Sequence, residues 1–158
     1  MDMVEYQFFS GWDSSRILGK IQAYCKKYPD ELRKNTLFFT SDKKFGQKIR
    51  KALMDVSFPV NYSDKFISAK DMRDLVRKEV IPGRGEFFVC DFSEATSSDE
   101  LFMFLSDVQL LTYQESERGF VLPTFYVILP LDKQIMDRAH GPESGRLSGS
   151  FYYQEIVQ

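Results

Sequence analysis

Hydrophobic and polar positions along this chain repeat with two different periods, and the two periods take turns. Residues 4–9, Val-Glu-Tyr-Gln-Phe-Phe, alternate in the manner of a strand with one covered face. Ser10-Gly11-Trp12-Asp13-Ser14-Ser15 breaks that pattern and supplies several residues able to cap a helix. From there to about Tyr28 the apolar residues Ile17, Leu18, Ile21, Tyr24, Cys25 and Tyr28 recur at threes and fours, which predicts an amphipathic helix ended by Pro29-Asp30.

The same exchange of periods continues. Thr36–Thr40 reads as a second strand, followed by a helix opened by Ser41-Asp42, with Phe45, Ile49, Ala52, Leu53 and Val56 inward and Lys44, Lys48 and Lys51 outward. Pro59–Tyr62 is a short third strand. Ser68 and Asp71 have the spacing of a capping box, opening a helix with Met72, Leu75 and Val76 inward. Pro82-Gly83-Arg84-Gly85 is a turn, and Glu86–Phe92 is nearly all apolar, as a strand covered on both faces should be. A second capping box, Ser97 to Glu100, opens a helix to about Leu111 that is apolar round much of its circumference and is expected to be the best buried of all. Phe120–Leu129 predicts a fifth strand, residues 131–149 a mobile loop after a short helical turn, and Phe151–Val157 an edge strand.

Strand and helix alternating in this way predict an α/β fold. The expected architecture is a Rossmann-like doubly wound, mostly parallel sheet of five strands plus a C-terminal edge strand, with helices on both faces. No linker, repeat or low-complexity segment divides residues 1–158, so one domain is expected. At 158 residues the chain is long enough to bury a full core.

Composition narrows the classes. No apolar run approaches the roughly 20 residues that span a bilayer, and the first residues carry acid where a secretory signal would carry base. A cytoplasmic protein with no membrane association is expected. Cys25 and Cys90 lie at apolar positions and read as reduced core residues, too few for a metal site. A single histidine, His140, rules out two-histidine chemistry. The net charge of −2 conceals a division: residues 16–80 hold 16 Lys/Arg against 8 Asp/Glu, whereas residues 81–158 hold 5 against 12. Such a split presents a basic face to an anionic partner or draws the two halves together.

Ligands of open parallel sheets bind beyond the carboxyl ends of the strands. That rule selects Ser10–Ser15, Thr40–Asp42, Ser63–Asp64, Asp91–Glu94 and Pro130–Lys133. In the first of these, Ser10, Gly11, Asp13, Ser14 and Ser15 with Arg16 form a hydroxyl-rich turn whose backbone amides could hold a phosphate. Ser10-Gly11-Trp12-Asp13-Ser14 resembles the phosphate loop of the ATP pyrophosphatase family, Ser-Gly-Gly-x-Asp-Ser, one residue shorter and without the second glycine. The resemblance covers this loop alone and implies nucleotide binding there; a helix cap accounts for the same residues. Phe39-Thr40-Ser41-Asp42-Lys43-Lys44-Phe45, followed by Ile49, Ala52 and Leu53, resembles the opening of a Toll/interleukin-receptor domain. That likeness implies NAD cleavage by a glutamate on a later helix, for which Glu100 is the nearest candidate, although its surroundings do not follow the family's pattern. Asp91, after four apolar residues, is either a ligand or Mg²⁺ contact at the mouth of the sheet or a cap for the next segment.

Three functions remain. The first is a non-catalytic interaction or regulatory protein working with a protein partner or as a homo-oligomer. The second is a nucleotide-binding or nucleotide-hydrolysing enzyme or sensor using Ser10–Ser15, Asp42 and Asp91, with a nucleotide and Mg²⁺ as cofactors. The third is a nucleic-acid-associated factor using the basic 16–80 segment. The absence of a complete catalytic motif places the first ahead.

Overall fold

The computed structural model describes residues 14–77, 86–94, 98–117, 123–140 and 152–156. The predicted strand at 4–9 and the turn at 82–85 lie outside them. Within them the chain runs α1 (Ser14–Lys27), α2 (Pro29–Leu32), β1 (Thr36–Thr40), α3 (Phe45–Asp55), β2 (Val60–Ser63), α4 (Ala69–Arg77), β3 (Phe87–Asp91), α5 (Ser98–Glu117), β4 (Thr124–Pro130), α6 (Lys133–His140) and β5 (Tyr152–Ile156). All strand pairings are parallel, in the order β2-β3-β4-β1-β5. Four strands make up the alternating body of the sheet, and the C-terminal strand lies at its margin beside β1. Five strands plus an edge strand were expected; the described sheet is one shorter, because the first predicted strand falls outside the described residues.

Period-two alternation divides the sheet's side chains between two cores. Leu37, Phe39, Phe88, Cys90, Phe125, Val127 and Leu129 face α4, α5 and α6, meeting Met72, Leu101, Leu105, Val108 and Ile135. Phe38, Phe87, Val89, Tyr126 and Ile128 face the other way, onto Ile17 and Ile21 of α1, Leu32 of α2 and Phe45, Ile49 and Leu53 of α3. Each such side chain contributes about 1.5–3 kcal/mol by leaving water, so neither face of a central strand tolerates a polar residue in mid-strand. The buried threonines sit at strand ends, and two of them bond locally. Thr36 donates to the Lys34 carbonyl at 2.7 Å, and Thr40 accepts the Asp42 N–H at 2.9 Å.

Strand order and helix placement agree. The step from β1 to β2 crosses the sheet one way and carries α3 on one face. The steps from β2 to β3, β4 and β5 run the other way and carry α4, α5 and α6 on the opposite face, as crossovers of a single hand require. Two long-range bonds fasten the sheet's amino edge: Asn35 Oδ1 accepts the Phe125 N–H at 2.9 Å, and the Tyr126 hydroxyl donates to the Leu32 carbonyl.

Several predicted details hold and one does not. Ser68 does cap α4, accepting the Asp71 N–H at 3.1 Å. Pro29 ends α1 but also opens the short α2. The helical turn expected after residue 131 is α6, two turns long, and the remainder of the expected mobile loop lies outside the described residues. Helix α5 extends to Glu117 and puts five buried residues into the core, but its burial is one-sided: Met103, Leu110 and Tyr113 are exposed. Cys90 is buried and free, its thiol pushed up by desolvation; Cys25 is half-exposed and free.

The end of α3 stores a local cost. The Phe58 N–H reaches the Leu53 carbonyl at 3.0 Å and the Ser57 N–H the Met54 carbonyl at 2.9 Å, the paired bonds of a Schellman motif. The residue in the left-handed position is Ser57, with φ of 67°, where glycine is the usual occupant. Ser57→Gly should therefore stabilise the protein by about 1 kcal/mol, the lower end of the penalty for a side chain in that region, measured as a rise in the urea midpoint at constant slope.

Candidate functional site

The sequence-selected acids do reach one edge. Asp42 follows β1, Asp64 follows β2, Asp91 ends β3 and Asp132 follows β4, all at carboxyl ends of parallel strands. Helices leave neighbouring strands β1 and β4 for opposite faces, so the mouth between these strands is the switch point at which α/β sheets hold ligands. Here that mouth is bridged by backbone: the Leu131 N–H donates to the Thr40 carbonyl at 3.0 Å. Its carboxylates are turned to the protein's own groups, although the expected Ser41-Asp42 cap is not formed, the N-cap of α3 being Lys44 with no side-chain bond. Asp132 Oδ1 accepts the Ile135 N–H at 3.1 Å at the start of α6. Asp42 Oδ1 accepts the Lys44 N–H at 2.9 Å, and its Oδ2 takes an ion pair with Lys48 at 2.6 Å.

Asp91 belongs to a tighter arrangement. It shares the parity of Phe87 and Val89, so its carboxylate points toward α3. There it lies against Gly46: a Cβ at that position would overlap the carboxylate and come within 2.9 Å of the Asp91 Cβ. The Tyr62 hydroxyl donates to Asp91 Oδ2 at 2.7 Å and accepts from Gln47 Nε2 at 3.1 Å. The Ser93 hydroxyl and N–H both donate to Oδ1, at 2.8 and 3.3 Å. Desolvation, then the bond to Asp91, drives the Tyr62 phenol well above its ordinary range, so it stays a donor. Arg50 covers the Tyr62 ring at 4.9 Å. Both oxygens of Asp91 are thus engaged within the protein, and they join β2, β3 and α3. Sequence reasoning passed over Tyr62, Gln47 and Gly46. The available signal was the parity of Tyr62 and Asp91, both on the α3 side of their strands.

Of the phosphate-loop candidates, Ser10, Gly11 and Asp13 lie outside the described residues. Ser14 begins α1, and Ser15 and Arg16 are exposed on its first turn. Ser15 lines a cleft of about 490 Å³ between α1 and α3, with Leu18, Ala52 and Val56 as apolar wall and Lys48 and Lys51 as cations. Lys48 connects this cleft to Asp42. Lys51 is paired with Asp55 at 2.8 Å, so two of the three lysines of the predicted basic face have acidic partners. Glu100 lies exposed on the first turn of α5. Among the described residues no three His, Cys, Asp or Glu side chains converge as a metal-holding group, and no helix is long and apolar enough to cross a membrane.

The second face of α5 is the other unusual surface. One side of this 20-residue helix packs into the core through Leu101, Phe104, Leu105, Val108 and Leu111. On the other, Met103 is 67%, Leu110 54% and Tyr113 66% exposed. Their spacing of seven and three places all three on one face. Apolar residues all round a helix imply cover on both sides, and among the described residues only one side is packed into the core.

The described residues therefore form an α/β protein built on a parallel sheet, with Asp42, Asp91 and Asp132 at its carboxyl edge bonded within the protein and with exposed apolar side chains on α5. No family model, curated protein or solved structure matches it.

The Gly46–Asp91 approach is directly testable. Gly46→Ala should destabilise by about 1–3 kcal/mol, the range for overfilling a packed site, in urea unfolding. Combined with Asp91→Ala, which removes the two nearer of the three opposing atoms, the loss should be smaller than the sum of the two single losses; strict additivity would refute the contact.

Proposed function

We propose that this chain is a cytoplasmic, Rossmann-like doubly wound scaffold acting as an interaction or regulatory protein through a protein partner. The exposed stripe Met103–Leu110–Tyr113 on α5 carries this proposal. Exposed large apolar side chains gathered on one helix face mark interaction surfaces, and Tyr and Met are enriched in protein interfaces. The engaged state of Asp42, Asp91 and Asp132 supports the same assignment, since each carboxylate holds the fold's own turns and helices.

The test is site-specific photo-crosslinking in the protein's own cells. A photoreactive phenylalanine analogue at position 110 should yield a discrete protein adduct, and the same group at the exposed position 51 on α3 should not. Adducts from both positions or from neither would defeat the proposal. Because Leu110 is largely exposed, Leu110→Asp should shift stability by no more than about 0.5 kcal/mol while removing a partner that binds there.

The α1–α3 cleft favours a second function, binding of a nucleotide with Mg²⁺. Its volume lies within the usual range for small-molecule sites, and Ser15, Lys48 and Lys51 offer donors to phosphate. A ligand at about a hundredfold its Kd adds about 2.7 kcal/mol to stability. ATP or NAD with Mg²⁺ would then raise the melting temperature of the parent and fail to do so with Lys48→Ala/Lys51→Ala. No rise at millimolar ligand removes this second function.

A further inference from the structure

Resting on the protein-partner proposal above, we infer that the exposed face of α5 receives a basic amphipathic helix. The ionisable residues in the sequence of α5 are Asp99, Glu100, Asp107, Glu115 and Glu117, and it contains no lysine or arginine. The apolar stripe therefore runs along a helix whose charge is entirely negative. Asp99 is already bonded to Arg138 of α6 at 2.7 Å, which shows the kind of contact these carboxylates make with a guanidinium.

This arrangement selects among occupants. A second copy packed symmetrically on the same face would, in either direction, bring acidic residues of one α5 against acidic residues of the other, and juxtaposed like charges cost several kcal/mol. Phosphate backbones and anionic lipid surfaces are repelled for the same reason. A helix with Leu or Ile along one side and Lys or Arg along its flanks satisfies both features at once, its apolar residues meeting Met103, Leu110 and Tyr113 and its cations meeting Asp107 and Glu117. The stripe from Met103 to Tyr113 spans about 15 Å at 1.5 Å per residue, enough for two to three turns of a partner. Met103 is unbranched and polarisable and adapts to the partner's shape, while Tyr113 offers a large apolar face with a hydroxyl for the rim.

The probe is a synthetic helical peptide with leucine at i, i+3, i+4 and i+7 and lysine elsewhere. Two controls accompany it: the same pattern with glutamate for lysine, and the same composition with the leucine spacing scrambled. The full chain is titrated with each by fluorescence anisotropy, and the surface is mapped by amide hydrogen exchange. The patterned lysine peptide should bind and protect α5, and Leu110→Asp should weaken it at least about tenfold, or 1.4 kcal/mol. The glutamate peptide and the scrambled peptide should bind at least that much more weakly. Equal binding of the scrambled peptide, binding unaffected by Leu110→Asp, or preference for the glutamate peptide overturns the inference. Light scattering showing a dimer that Leu110→Asp dissociates also overturns it, by placing a second copy on this face. A specific crosslink from position 110 together with no binding of the lysine peptide would leave the partner proposal standing and remove only the basic helix; no crosslink and no binding would remove both.

Discussion

A parallel strand can be rejoined by the next only after the chain has climbed over one face of the sheet, and it does so with one hand. That constraint organises the rest of the molecule. The strand order sends the chain from β1 to β2 at the far margin and then back across β3 and β4 to β5, so α3 is placed on one face and α4, α5 and α6 on the other. Two separate cores result, and the sheet between them must be apolar on both sides. The clustering of phenylalanine in β1, β3 and β4 is the composition that such a middle layer demands.

The elements were legible in the sequence wherever one period dominated. β1 coincides with its predicted limits because Thr36–Thr40 is apolar between two threonines whose hydroxyls close the strand ends. The Ser68 cap was legible because its bond spans only three residues. Helix α5 misled for a physical reason. An apolar circumference states that a helix avoids water on all sides, but not which side its own chain will cover. Its length was also underestimated, since Thr112–Glu117 continue the helix beyond the last buried position, Leu111.

The site was legible as a place and not as a mechanism. Knowing that the strands are parallel was enough to put Asp42, Asp64, Asp91 and Asp132 on one edge. What each carboxylate does depends on partners brought from elsewhere: Tyr62 on β2, Gly46 and Gln47 on α3, Ile135 on α6. No local pattern announces such pairings, because they are fixed by the register between elements and not by spacing within one. The lysines of α3 show the same limit. They read as an open basic face, yet Lys48 and Lys51 each have an acidic neighbour, one from the turn before the helix and one from the next turn of it.

The absence of a side chain at Gly46 is, in effect, a message about position 91. A lineage that kept the aspartate could not enlarge residue 46 without moving a helix away from its sheet, whereas one that lost the aspartate would be released to do so. Descendants of this fold should thus carry the two positions as a linked trait, glycine travelling with the acid. That linkage would be readable in related sequences as covariation between sites far apart in the chain.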